Sequence, residues 1–459
     1  MKNYEVVVVG GGIGGLTTAA LLAHRGVSVC LLERQSHVGG CVATFAHLGF
    51  EFEPTYGLYR GGGPGEVFDR IFSEIGITAP AAQRLSPAYV VRLPDGAEVS
   101  VSTEFDEFEQ SLRTAFPECS DAALSFYRSL ATPSEAHAST LVSSYLQNCS
   151  LRFRSFVNAQ LQAFLQCSSD TCSVECAADI LNPSCRFWSI KGGAQRLAGA
   201  LAESIKQSGG TVRLNAPVLR LAYASDGQPA GVDLLNGEQV AASKAIVSNL
   251  TVWDTYGKLI GLRRTPRDVA SVLRNLRSFG AYLLFLGMDQ EAAARLPGKR
   301  ILALTESQES EQHDPLNDQL FFSCSGEDVV APPGKVPVTV TTLTNAEDWF
   351  SFHEDQSTHE KQDQQMLEAV WSRLHASIPE LGDAVEVIET ASPQTFYETM
   401  RRKFGMIGRP DYSAGEVPPN LARPFPGVFI VSDTTTPGSG VASVAEAALR
   451  LSDLLTRSS

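Results

Sequence analysis

Residues 4–33 read YEVVVVGGGIGGLTTAALLAHRGVSVCLLE, and this stretch decides the fold. The run from Glu5 to Val9 is β-branched and almost continuously apolar, the pattern of a strand buried on both faces of a parallel sheet. Gly10, Gly12 and Gly15 then give the spacing G-x-G-x-x-G. The first glycine permits a tight turn, the second lets backbone approach a diphosphate, and the third lets a helix lie close against the strand. The amides of Gly12, Ile13, Gly14 and Gly15 open that helix, so its positive end faces phosphate oxygens. Leu16, Ala19, Ala20 and Ala23 form a small apolar stripe facing the sheet, and Gly26 ends the helix where a left-handed residue is wanted. A second strand over residues 27–32 closes on Glu33, about 20 residues past the glycines, where an acid accepts hydrogen bonds from a ribose. Strand, turn, helix, strand and acid in that order predict a site for the ADP half of a dinucleotide.

Two further features point to FAD rather than a nicotinamide. Arg34 follows the acid, and a second glycine pair, Gly39-Gly40, precedes Cys41 and an alternating stretch at 45–52. Such a pair lets another backbone segment approach the diphosphate or the flavin end. At the other end of the chain, a short apolar strand at 427–431 closes on Ser432-Asp433, followed by a loop at 434–440 and a helix at 441–455. An acid at the carboxyl end of a strand points into the crevice where open α/β sheets bind ligands, in position for a ribityl hydroxyl. Gly438 and Gly440 flank Ser439 at the helix start, leaving amides to face the electron-rich edge of a reduced flavin. A capped surface turn with a solvated Asp433 is the competing reading.

The bulk composition agrees with an α/β enzyme. At 459 residues the chain is too long for one compact core, so two domains are expected. A formal charge of −14 opposes a phosphate backbone and argues against nucleic acid as a partner. Nine cysteines, an odd count in a large chain, read as reduced thiols of a cytoplasmic protein. Cys167, Cys172, Cys176 and Cys185 lack paired C-x2-C knuckles, so no metal site is expected. Lys2 and the apolar stretch 6–23 imitate a secretory signal, but Glu5 and the glycines between 10 and 15 would break its helix. No run reaches the roughly 18 apolar residues that span a bilayer, and 281–287 is far too short.

Three segments together resemble the phytoene desaturase and carotenoid isomerase group of FAD-dependent oxidoreductases, within the wider amine oxidase superfamily. They are 6–40; Lys191-Gly192-Gly193 through Val218 to Ser248-Asn249; and Ser392-Pro393 through Gly427 to Leu449. The resemblance implies a discontinuous Rossmann-type FAD-binding domain, α/β in class, from residues 1–70, 190–264 and 391–459. A second, mixed α+β substrate-binding domain would comprise 71–189 and 265–390. It implies Gly12, Ile13, Gly14 and Gly15 at the diphosphate, Glu33 at the ribose with Arg34 beside it, and Val218 holding the adenine through its backbone. Asp433 would lie near the join of diphosphate and ribityl chain, with Val441 at the flavin. Two departures stand out: Cys41 occupies a position where arginine often follows the glycine pair, and Glu53-Pro54-Thr55 replaces the usual Asp-x-Gly. Cys41 reads either as a small packed residue or as a flavin attachment point or redox thiol.

In the middle of the chain, Gly192-Gly193 opens a helix carrying Leu197, Leu201 and Ile205, and Asn236-Gly237 makes a hairpin turn between strands at 231–235 and from Val240. Val218, at the start of a strand, is either an adenine contact or a plain core valine. Helices at 105–116 and 153–166 carry aromatics suited to a core or to an apolar tunnel. Residues 262–277 hold five arginines against one acid, and from Pro266 onward the apolar residues recur at helical spacing. That is either a solvated helix or one that touches an anionic membrane surface.

The expected reaction is dehydrogenation, saturation or isomerisation of a long apolar polyene or isoprenoid-like lipid. No catalytic acid–base set stands out in the sequence. Amine oxidation competes, although 434–440 lacks the aromatic that would help cage an amine. A non-enzymatic lipid chaperone on the same fold is a third reading, opposed by the joint presence of Gly12, Glu33, Asp433 and Gly440.

Overall fold

The computed structural model describes residues 2–131, 140–182, 184–305, 313–326, 328–350, 356–410, 412, 418, 421–436, 438 and 440–457. Its first sheet is built around the strand Lys2–Val9, whose Val6 to Val9 are buried. This strand pairs in parallel with Val29–Leu32 on one side and with Gln239–Ser248 on the other. Thr211–Arg213 extends the sheet beyond Val29–Leu32, and Val428–Ile430 pairs in parallel with residues 246–248. The antiparallel hairpin Val218–Tyr223 and Pro229–Leu234 pairs with the first residues of Gln239–Ser248, and Gly237 makes the expected turn at φ 84°. The strand ends Val9, Leu32, Ser248 and Ile430 therefore share one rim of the sheet.

Helix Ile13–His24 is buried along all but its last residue, because it packs between helices Gln195–Gln207 and Gly440–Arg457. Gly26, at φ 81°, ends it, with the Val27 amide reaching back to the Leu22 carbonyl at 3.0 Å. Gly15 is fixed by contact: a Cβ there would lie 2.1 Å from the Gly10 carbonyl oxygen.

The second sheet has seven strands in the order Val385–Ala391, Gly280–Asp289, Lys335–Thr344, Gln319–Cys324, Arg300–Leu304, Tyr89–Arg92 and Glu98–Val101. All its neighbours are antiparallel except Arg300–Leu304 with Tyr89–Arg92. The apolar run at 281–287 is its buried second strand, which accounts for its hydrophobicity without a membrane. Helix Gln356–Ser377 covers part of this sheet through Val370 and Leu374. Helices Phe105–Ala115, Ser120–Ala131, Leu151–Leu165 and Val174–Leu181 share another core with it, in which Phe108, Phe116, Phe153 and Phe156 are buried. These aromatics pack against one another as core. The hairpin Phe45–His47 and Phe50–Phe52 packs on the second sheet, with the Phe45 and Phe52 rings 4.8 and 5.2 Å from that of Phe285.

We propose the two-domain division set out above, with two stretches packing across it. Ile71, Phe72 and Ile75 belong to the core of the first sheet, and Val269 and Leu276 pack with Trp253 and Tyr256 beneath its other face. The segment 262–277 is helical only over Arg267–Asn275, since a wider π-helical turn at Thr255–Gly261 precedes it.

Candidate functional site

The rim where the parallel strands end gathers most of the residues singled out from the sequence. Gly10 turns the chain at φ 102°, and its amide bonds the Leu32 carbonyl at 2.9 Å. Gly12 then starts the helix with no side-chain cap and no acid in the first turn, leaving that amide end open to an anion. Two glycines are held to backbone size there. A Cβ on Gly12 would lie 2.6 Å from Asn249 Oδ1, and one on Gly14 would meet Val444 Cγ1 at 2.7 Å and the Val431 carbonyl at 2.8 Å. The second glycine pair folds onto the first: the Gly39 amide donates to the Gly11 carbonyl at 2.8 Å, and a Cβ on Gly40 would be 3.4 Å from Gly12 Cα.

Glu33 is buried at 9% exposure. Its Oε2 accepts the Gly11 amide at 2.7 Å and its Oε1 the Gln35 amide at 2.8 Å. A carboxylate offers about four lone-pair positions, so room remains for a ribose hydroxyl. Residues 213–216 run alongside, with the Ala216 amide on the Glu33 carbonyl at 2.8 Å. Val218 follows two residues later, half-buried on an edge strand. Arg34 follows Glu33, and its Nη2 donates to the Thr399 carbonyl at 3.1 Å, at the C-terminal end of helix Pro393–Met400, while its Nε is buried without a hydrogen-bond partner.

On the opposite wall, Asp433 pairs with Arg402, Oδ2 to Nη2 at 3.0 Å. The Arg402 Nη1 lies 3.8 Å from Cys41 Sγ, and that sulfur is 3.4 Å from Met400 Sδ. Burial works against the charge of Arg402, but the Asp433 carboxylate beside it outweighs this and holds its pKa above the ordinary value. Burial likewise pushes the Cys41 thiol up, so it rests as a neutral thiol. Gly440 is exposed at φ 74° at the start of its helix, and Val441 packs partly buried against the first core. Ser439 lies outside the described residues.

Sequence reasoning missed several residues of this crevice. Asn249 ties three strand ends together, its amide donating to the Val9 carbonyl at 2.8 Å and its Nδ2 to the Val431 carbonyl at 2.6 Å. A polar residue directly after the apolar strand end at 246–248 was the available signal. Gln195 reaches the Val38 carbonyl at 3.1 Å. Glu53, which stands out in the sequence as a departure from Asp-x-Gly, accepts the Ala194 amide at 2.9 Å and the Tyr59 hydroxyl, while its own carbonyl accepts from Thr339 of the second sheet at 3.0 Å. Burial chiefly raises the Glu53 carboxyl above the usual carboxylate range.

The glycine turn, the uncapped helix end and the buried acid with spare acceptor capacity fit the ADP end of FAD. A separate groove of about 1070 Å³ runs along helix Gly440–Arg457 and touches Val431, Gly438 and Ser443. Arg60, Arg70, Arg186, Asp179 and Glu446 line it, and neither Glu33 nor the glycine turn does, so it is distinct from this crevice. Among the described residues no group of three or more His, Cys, Asp or Glu is placed to hold a metal, and no helix is long and apolar enough to cross a membrane.

Comparison with known proteins gives consistent relatives. The model of a family described as flavin containing amine oxidoreductase matches residues 13–456. Prolycopene isomerase of Daucus carota is 25% identical over 97% of this chain and 78% of its own length. All-trans-retinol 13,14-reductase of Danio rerio is 25% identical over 86% of this chain and 75% of its own. The crystal structure of an oxidoreductase from Methanosarcina mazei has the same fold, with a TM-score of 0.71 at 18% identity, covering 99% of this chain and 100% of that one.

Proposed function

Because this chain belongs to the flavin containing amine oxidoreductases and is an FAD-dependent oxidoreductase, we propose that its substrate is a long apolar polyene or isoprenoid-like lipid, which it dehydrogenates, saturates or isomerises. The observation that carries this reading is an apolar patch beside Cys41. Phe45, Ile388, Met400 and Ile407 remain partly exposed on a cluster of Phe50, Phe52, Phe285 and Phe396. Met400 of this patch touches the Cys41 sulfur directly. Such a surface offers dispersion contacts along a chain of conjugated carbons and excludes water from the reacting bond. The relatives named for prolycopene and retinol support the same substrate class.

Bound FAD supplies the two-electron chemistry at an allylic carbon. In this reading the amides from Gly12 to Gly15 hold the diphosphate, Glu33 the ribose and the Val218 backbone the adenine. Gly10 and Gly40 keep the two backbone turns close, and Asp433, Gly440 and Val441 serve the flavin end. Arg34 anchors the helix Pro393–Met400 and with it Met400. The chain's residues therefore mainly position and dehydrate the reactants.

A lipid substrate is delivered most simply from a membrane surface. Leu262 is 78% exposed, with Arg263, Arg267 and Arg274 exposed on the same stretch, which supports peripheral contact with an anionic bilayer. All nine cysteines are free, in keeping with a reducing, cytoplasmic setting.

The test is anaerobic reduction of the FAD-loaded protein, followed by bleaching of the visible flavin band. Polyene lipids in detergent are expected to bleach it, or to be saturated or isomerised once it is reduced by dithionite. Bleaching by primary amines with no response to polyenes would replace this reading with amine oxidation.

A further inference from the structure

Arg402 is a buried cation in the cofactor crevice that the sequence did not mark. It stands in the basic run 401–403 after helix Pro393–Met400, where a solvated side chain would be expected. A tight turn prevents that: Gly405 is at φ 62°, and a Cβ on it would lie 1.9 Å from the Pro393 carbonyl oxygen. The turn folds Arg402 inward to 8% exposure, with its Nε on the Met406 carbonyl at 2.5 Å. Its guanidinium then meets Asp433 at 3.0 Å and the Cys41 sulfur at 3.8 Å. Cys41 belongs to the short turn Gly40–Val42, whose first residue abuts Gly12. The approach of Nη2 to Asp433 is an ion pair without hydrogen-bond alignment, so that nitrogen is buried with no hydrogen-bond partner.

We propose that Arg402 is a cofactor-binding residue whose guanidinium donates to the diphosphate of FAD from a segment distant in sequence from both glycine turns. The physical reason is charge balance. A dianionic diphosphate and the Asp433 carboxylate in one crevice repel, and a guanidinium between them offsets part of that repulsion with directed N–H bonds. Nη1 donates to Asp433 Oδ1 at 3.4 Å, and the Nη2 hydrogens, which make no hydrogen bond within the protein, can turn to the diphosphate. The small Cys41 side chain leaves the space that the guanidinium occupies. This inference rests on the assignment of FAD as cofactor.

The experiment is titration of FAD into the cofactor-stripped full chain, read by quenching of flavin fluorescence, with the fold checked by circular dichroism. Arg402→Gln is expected to raise the dissociation constant roughly 10- to 100-fold. The double variant Cys41→Arg with Arg402→Gln is expected to recover affinity to within about threefold of the parent, which loss of a merely structural arginine would not allow. Unchanged affinity in Arg402→Gln overturns the proposal, as does a folded double variant that recovers nothing. If Arg402→Gln does not fold, Arg402→Lys replaces it: a loss of roughly threefold or more supports a forked contact, and no loss overturns it. A parent chain that takes up no FAD overturns the cofactor assignment itself, whereas a parent that binds tightly alongside unaffected variants overturns this inference alone.

Discussion

Replacing Glu33 with alanine separates two roles that meet in one carboxylate. In the structure Oε2 holds the Gly11 amide at 2.7 Å and Oε1 the Gln35 amide at 2.8 Å, before any ligand is considered. Gly11 is buried, so its amide loses its partner without access to water, at a cost of about 1–3 kcal/mol. Gln35 is half-buried and its amide recovers solvent, so it adds little. The cofactor-free chain should therefore lose about 2 kcal/mol of stability. Loss of a charge-assisted bond to the ribose contributes a further 1.5–3 kcal/mol or so, seen only in binding, which corresponds to roughly 10- to 100-fold weaker FAD affinity. Thermal unfolding of the stripped protein measures the first effect and fluorescence titration with FAD the second. Glu33→Gln retains one acceptor oxygen and should fall between parent and alanine variant in both assays. A destabilised alanine variant with unchanged FAD affinity would falsify the ribose assignment and leave Glu33 as a fastener of the glycine turn. An alanine variant as stable as the parent would refute the claim that the Gly11 amide depends on it.

Gly15→Ala places a methyl 2.1 Å from the Gly10 carbonyl oxygen, so helix and strand must separate, at about 3 kcal/mol with loss of FAD uptake. Gly199→Ala, in a helix with nothing within 4 Å of the new methyl, should instead raise stability by about 0.5–1 kcal/mol; equal melting of the two variants would refute the contact argument. The raised carboxyl of Glu53 means that the folded state keeps its proton longer than the unfolded chain, so this contribution is complete below the ordinary value of 4.5 and is lost as pH rises through the folded value. Glu53→Gln stays neutral and still offers one oxygen to Tyr59 and Ala194, so its stability relative to the parent should rise as pH is raised from about 4 to neutrality. A difference that does not change with pH would refute the assignment. Leu262→Asp should abolish co-sedimentation with phosphatidylserine vesicles while leaving FAD binding intact, and undiminished sedimentation would remove this segment from the membrane contact.

The sequence by itself determined the nucleotide unit, because its signals are local. The glycine spacing, the apolar runs of Val6 to Val9 and 29–32, the Asn236-Gly237 turn and the acid Glu33 each act within a few residues of where they stand, through sterics and hydrogen bonds that composition alone dictates. The strand before Asp433 and the helix after it were legible for the same reason. Only the tertiary structure decided which distant residues complete the crevice. Asn249 is an ordinary polar residue until three strand ends meet at it, and Arg402 reads as a solvated charge until the turn at Gly405 folds it inward against Asp433. Glu53 stands out in the sequence as a departure from Asp-x-Gly, but its partners Ala194, Tyr59 and Thr339 converge on it only in the fold. Burial is a property of the assembled chain, and burial turned these side chains into a charged, directed site.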